Sequence, residues 1–249
     1  MRKSLDYIAY SIDAISAIFL WRNISYFAVP DPDIFQYVYD GRYYARGQFP
    51  PSIQTPPLNS LLIAALSSLL VSYEYPEIIA AHTINAFATV ISLLLLYHIG
   101  KKYSPWIGIA STIAMITTPT VLFSSLNINT EVLFTTFVLL TIFFYQRKRI
   151  TLATIIASLS FLVRYEGLLL TGTVLIIDLL HVKKIKRTFR FASIAVIPIA
   201  SWVSIIFQRN YLGTLTGNAY IQEIFQYQQN IPQLPFFILT NYPESPVCA

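Results

Sequence analysis

TVISLLLLYHIGKK, residues 89–102, joins an unbroken apolar run to a lysine pair, and this pattern decides how the rest of the chain is read. It repeats to either side. Residues 107–123 are uncharged and mostly apolar, and residues 132–145 form a similar run that stops at Arg147-Lys148-Arg149. Further basic runs stand at Arg2-Lys3 and between Lys183 and Arg190. Apolar stretches punctuated by short basic clusters are expected of helices that cross a bilayer with positive loops on the cytoplasmic side. Composition agrees. Hydrophobic residues make up 55% of the 249 positions and charged residues 12%, about half the roughly 25% of a soluble domain. Mean hydropathy is +0.57. The net charge of +5 is therefore a matter of topology. No basic patch with interleaved aromatics accompanies it, so a nucleic-acid partner is set aside. A single cysteine, Cys248, excludes an internal disulfide framework.

Placing every basic run on the inner side gives a consistent path. The amino terminus is inside and residues 7–28 form the first span. This segment contains Asp13, is followed by Trp21 and Arg22, and lacks a small-residue cleavage site, so it reads as retained and not as a signal peptide. An external segment rich in proline and aromatics follows. Residues 58–71 are apolar but reach only about 21 Å at 1.5 Å each, short of the ~30 Å hydrocarbon core, and read as an interfacial helix. The first external loop thus covers residues 29–77. Spans are then expected at 78–99, 105–123, 131–145, 150–163, 167–180 and 191–207, with a short external loop at 124–130. Two short helices joined by a tip fit residues 150–180 better than one tilted helix, which would bury Arg164 and Glu166 in lipid. The expected fold is an all-α, polytopic transmembrane helical bundle of about seven spans. Residues 1–207 form the membrane module and residues 208–249 an external tail. High isoleucine and sparse cysteine fit a prokaryotic source.

On this path the acids away from basic runs gather on the outer side. Asp31, Asp33 and Asp40 lie in the first external loop, Glu131 opens a later span, and Glu166 sits beside Arg164 at the hairpin tip. Carboxylates converging on one face with an arginine suit a metal ion, a phosphate, or both. In the loop, Pro32 reads as a first helical position with Asp31 as its N-cap. Asp33, Tyr37, Asp40 and Tyr44 follow a 4, 3, 4 spacing along one helical face. Asp33 and Asp40 stand about two turns, roughly 10 Å, apart, so they cannot share one ion. Ordinary roles are open beside the functional ones. Asp31 and Asp33 can serve only as a cap and a dipole complement, as can Glu131 at its helix start. Arg164 and Glu166 can simply pair across a tip, and the tyrosines can form an interfacial belt. His82 and His98 lie at opposite ends of one span and cannot form a joint metal site.

The order of these pieces resembles the GT-C superfamily of polytopic glycosyltransferases, which use polyprenyl-phosphate sugars. Protein O-mannosyltransferase-like and lipid A aminoarabinose transferase-like members are the nearest in pattern. The resemblance rests on an acid opening the first external loop, an aromatic-rich helix, Gly47-Gln48-Phe49-Pro50, and Pro56-Pro57-Leu58 before a short apolar helix. Asn129-Thr130-Glu131, the stretch from Phe161 to Gly167, and that from Tyr211 to Asn218 continue it. It covers about residues 31–218 and implies sugar transfer, retaining or inverting, from a lipid phosphate to a lipid, glycan or protein acceptor. It implies that Asp33, or Asp31, activates the acceptor hydroxyl. Arg164 would contact phosphate, with Tyr37 and Asp40 lining the substrate. A divalent ion (Mg or Mn) would rest on Glu131 and Asp31. Many relatives carry a basic residue just before the Pro-Pro-Leu element, where this chain has Gln54-Thr55, and Arg42 or Arg46 are the substitutes. Such enzymes usually have more spans, so a minimal form, a truncated product and an inactive relative are all open. The alternative from another class is a small transporter or channel subunit using the same acids as a polar pathway, which calls for discontinuous helices and mid-membrane charge.

Overall fold

The computed structural model describes residues 2–23, 32–51, 55–70, 73, 75–182 and 185–208. The described residues are helical, with no strand among them. In chain order the helices are α1 (Arg2–Asn23), α2 (Pro32–Ala45), α3 (Leu58–Ser67), α4 (Pro76–Lys101), α5 (Pro105–Thr117), α6 (Pro119–Leu126), α7 (Glu131–Gln146), α8 (Ile150–Ser160), α9 (Gly167–Val182) and α10 (Ile185–Gln208). Asp31 and, of the expected tail over 208–249, residues 209–249 lie outside the described residues.

Two helices, α4 with 26 residues and α10 with 24, are long and apolar enough to cross a membrane. A third span is counted if α5 and α6 are taken together. The remaining apolar helices α3, α7, α8 and α9 are shorter; at 1.5 Å per residue the 16 residues of α7 reach about 24 Å. At the sequence level, residues 105–123 are expected as one span, with a loop over 124–130. The structure puts a bend inside that segment and moves the start of the loop. The helix bends by 65° between α5 and α6, and helix resumes at Pro119 and runs through Ser124 to Leu126. Proline supplies no N–H and crowds the preceding turn, which pushes the residue before it out of the helical region. Thr118 accordingly sits at φ −74°, ψ 117°. The threonine hydroxyls tie off the broken turn, Thr117 Oγ1 donating to the Ile113 carbonyl at 2.8 Å and Thr118 Oγ1 to that of Ala114 at 2.6 Å.

The hairpin expected over residues 150–180 is present. α8 ends at Ser160, and backbone bonds from Val163 N and Arg164 N to the Ser160 carbonyl turn the chain into α9. Gly167 makes this turn sterically feasible, because a Cβ there would collide with the backbone of Ser160 and Phe161. Helix α3 is anchored to the tip: Leu58 N donates to the Leu162 carbonyl at 2.8 Å.

Helices meet through small and hydroxyl-bearing residues. α4 buries Ala80, Ala81, Thr83, Ala86, Ala88, Thr89, Ser92 and Gly100. A Cβ on Gly108 of α5 would meet the Tyr97 carbonyl at 2.7 Å, so these two backbones approach closely. Between α4 and α7, Ser92 Oγ and Thr136 Oγ1 are 2.9 Å apart. Large apolar side chains instead point outward, among them Ile15, Ile18, Phe87, Trp106, Leu169, Leu180, Ile197 and Phe207. Small residues between helices and bulky ones outside are what packing in lipid favours, where Leu gains nothing by leaving the solvent. Burial distinguishes a centre from an edge. The apolar window of α4 is 61% buried and that of α10 only 22%.

The two ends of the bundle differ in charge. Lys101 pairs with Asp6 of α1, which also accepts from the Tyr97 hydroxyl. His98 meets Phe143, on which Arg147 stacks. Asp178 is 1% exposed and accepts from Arg187 at 2.8 Å. The described basic residues at 101–102, 147–149 and 186–190 therefore share one end. α2, α3, the segment 127–131 and the 161–166 tip share the other.

Candidate functional site

At that second end three separate pieces of chain meet. α7 begins at Glu131, whose backbone N–H is capped by the Asn129 side chain at 3.2 Å. Its carboxylate accepts from Ser124 Oγ at 3.2 Å. The hairpin tip brings Arg164 against it, with Arg164 Nη1 3.9 Å from Glu131 Oε1. On its other edge Arg164 donates to Glu166 through Nη2 at 3.0 Å and Nε at 3.4 Å. From α2, the Tyr37 hydroxyl lies 3.4 Å from Thr130 Oγ1 and within electrostatic reach of Arg164. The Glu131 and Glu166 side chains are 59% and 54% exposed, so this cluster faces outward.

The segment carrying Glu131 is held from beneath by α4. Asn85 Nδ2 donates to the Asn127 carbonyl and, at 3.5 Å, to that of Ser124. His82, one turn earlier, lies against the Leu126 carbonyl. Carbonyls at the end of α6, left without helical partners, are satisfied by these buried side chains.

The electrostatics follow from the pairing. The Arg164 hydrogen bonds hold the Glu166 carboxyl below its ordinary range, and Glu166 in turn, with Glu131 adding to it, strengthens the guanidinium's hold on its proton. An arginine forked to one exposed carboxylate and flanked by another can exchange that carboxylate for a phosphate, which offers the fork two oxygens in the same bidentate way. Among the described residues no three His, Cys, Asp or Glu side chains gather to hold a metal ion.

The other expected residues are placed as follows. The middle of the 4, 3, 4 face of α2, at Tyr37 and Asp40, packs inward. Tyr37 and Asp40 are buried, Asp40 at 1% exposure. Asp40 accepts from Gln36 Nε2 at 2.8 Å and Thr55 Oγ1 at 3.5 Å, which fastens the Pro-Pro-Leu approach onto α2 instead of presenting a carboxylate outward. Arg42 donates to Glu77 at 2.9 Å, tying α2 to the first turn of α4. Arg46 stands exposed in the turn after α2 and makes no ion pair among the described residues. Asp33 lies on the first turn of α2. Ser124, the Glu131 partner, carries no sequence signal of its own, and Glu77 reads only as a helix-start acid. No protein-family model, curated protein or solved structure matches the chain.

Proposed function

We propose that the chain is a multi-pass protein of the plasma membrane, with a cytoplasmic amino terminus and the Arg164 cluster on the external face. It acts as a GT-C-like glycosyltransferase. The observation that carries this reading is the meeting of Arg164, Glu131, Glu166 and Tyr37 at the end of the bundle opposite the basic runs. The reading takes α1, the bent α5–α6 pair and the short helices α7, α8 and α9 as spans alongside α4 and α10, giving the seven crossings of the sequence pattern.

The donor is a sugar on a polyprenyl phosphate and the acceptor a hydroxyl of a lipid, glycan or protein. The acceptor oxygen bonds to the anomeric carbon as the bond from that carbon to the phosphate oxygen breaks. Asp33, or Asp31 beside it, takes the acceptor's proton, and polyprenyl phosphate departs with the electron pair. Arg164 exchanges Glu166 for the departing phosphate, where a preorganised charge is worth most. A divalent ion such as Mg or Mn on Glu131 and Asp31 would supply a Lewis acid to that phosphate. The exposed apolar faces of α9 and α10 offer a surface for the prenyl tail.

The test is sugar transfer from polyprenyl-phosphate donors by purified protein, comparing wild type with Asp33→Asn and Asp31→Asn. Asp33→Asn should reduce turnover by at least about 100-fold, the contribution of a general base, with folding and donor binding retained. Equal turnover in all three removes both acids from the mechanism. The 65° break between α5 and α6 favours a second reading as a transporter subunit. Solute uptake into liposomes without sugar transfer would select it.

A further inference from the structure

α1 carries a carboxyl group that the hairpin-tip cluster does not use. Asp13 is 4% exposed, and neither carboxylate oxygen has a hydrogen-bond partner among the described residues. Two apolar clusters fix its height. On one side Leu5, Ala9 and Ile12 pack on Tyr97 of α4 and Ile109 of α5. On the other Leu20 packs on Ala86 of α4 and Leu126 of α6. Asp13 lies between them, inside the seam of α1 with α4, α5 and α6. The titratable groups on these helices are engaged elsewhere. Asp6, seven residues or about 10 Å along the axis, is bonded to Lys101 and Tyr97. Tyr10 meets Tyr97 and His98, His82 faces Leu126, and Glu77 pairs with Arg42. Arg22 is exposed nine residues on, and α5 and α6 carry no charged side chain.

An ionised carboxylate buried without a partner is strongly disfavoured; it persists by holding a proton or a cation. Acids inside an apolar bundle are functional groups by default, because neutral residues would pack at lower cost. We propose that Asp13 is a proton-binding site within the α1–α4–α5 seam, neutral in this conformation and independent of sugar transfer. Its ligand is the proton.

The experiment compares the apparent thermal midpoint of the purified full chain with that of Asp13→Asn from about pH 3.5, below the unfolded carboxyl's range, to about pH 9, in sodium chloride or choline chloride. A group that binds its proton more tightly when folded stabilises at low pH, and loses that stabilisation as pH rises. Wild type should therefore match Asp13→Asn at the acid end and fall behind it on the alkaline side. Its unfolding constant should grow relative to the variant by up to about tenfold per pH unit above about pH 4, where the unfolded carboxyl ionises, and level off once the folded site gives up its proton. A gap that does not change with pH overturns the proposal. So does stabilisation of wild type by sodium over choline, which would mark a metal-cation site. Wild type alone gives a second readout through dicyclohexylcarbodiimide. The carboxyl proton moves to a carbodiimide nitrogen while the carboxylate oxygen bonds the central carbon, and no electrons are exchanged with a third reagent. An adduct on Asp13 that fades as pH rises is expected. No adduct at any pH, or the same adduct at every pH, is the contrary result.

Discussion

Arginine–carboxylate pairs stand at both ends of this bundle, and they differ in one respect. Asp178 is shut away from solvent, with Arg187 and the Thr188 hydroxyl around it. Glu131 and Glu166 are more than half exposed around Arg164. A buried carboxylate depends on its partner to offset desolvation, so the Asp178–Arg187 pair is a fastening between α9 and α10. An exposed carboxylate loses little when its partner turns away, so Glu166 can be released and Arg164 offered to an incoming anion. Under the proposed function, identical chemistry makes a joint at one end and a receptor at the other, with burial as the deciding variable.

The largest expected effect tests the joint. Arg187→Ala leaves Asp178 buried without its cation and should destabilise the protein by about 3 kcal/mol, read as a fall in the midpoint of denaturant or thermal unfolding. A variant within about 0.5 kcal/mol of wild type would mean that Asp178 reaches water and that the contrast between the ends is false. Next comes the scaffold of the receptor end. Gly167→Ala forces a methyl into the backbone at Ser160 and Phe161 and should cost about 1–3 kcal/mol. It should also displace Arg164, so that loss of transfer accompanies the loss of stability. The smallest effect is electrostatic. Glu166 has its folded pKa lowered by Arg164, so its contribution is present above the ordinary glutamate range and lost as pH falls through the lowered value. Wild type should be marginally more stable than Glu166→Gln at neutral pH, and the gap should close under acid. A gap that widens under acid contradicts the pairing.

The Arg164 end of this contrast could be read in the sequence and the Asp178–Arg187 end could not, for reasons that particular residues make plain. Basic runs and apolar lengths depend on local composition, and they placed the ends of α4 and α7 and the hairpin around Arg164 correctly. The convergence of Glu131, Glu166 and Arg164 followed from the same topology. Spacing along α2 correctly put Tyr37 and Asp40 on one face but could not say which way it turned, because a polar stripe on a short helix can face water or a polar interior. Thr55 and Gln36 settle that for Asp40, and Thr55 lies fifteen residues away. The bend at Pro119 was available locally and was masked by the uniform hydropathy around it. The Asn85 hold on the 124–127 carbonyls and the unpartnered state of Asp13 depend on the packing of α4 against α1, α5 and α6, which no local pattern encodes.

The central claim is that the two arginines do different work, and one paired measurement reaches it directly. Sugar transfer from a polyprenyl-phosphate donor and the unfolding midpoint are measured together for wild type, Arg164→Ala and Arg187→Ala. Arg164→Ala should keep its stability within about 0.5 kcal/mol of wild type and lose transfer by at least about 100-fold, as expected when a charge aimed at the leaving group is removed. Transfer at the wild-type rate by a folded Arg164→Ala would contradict the account.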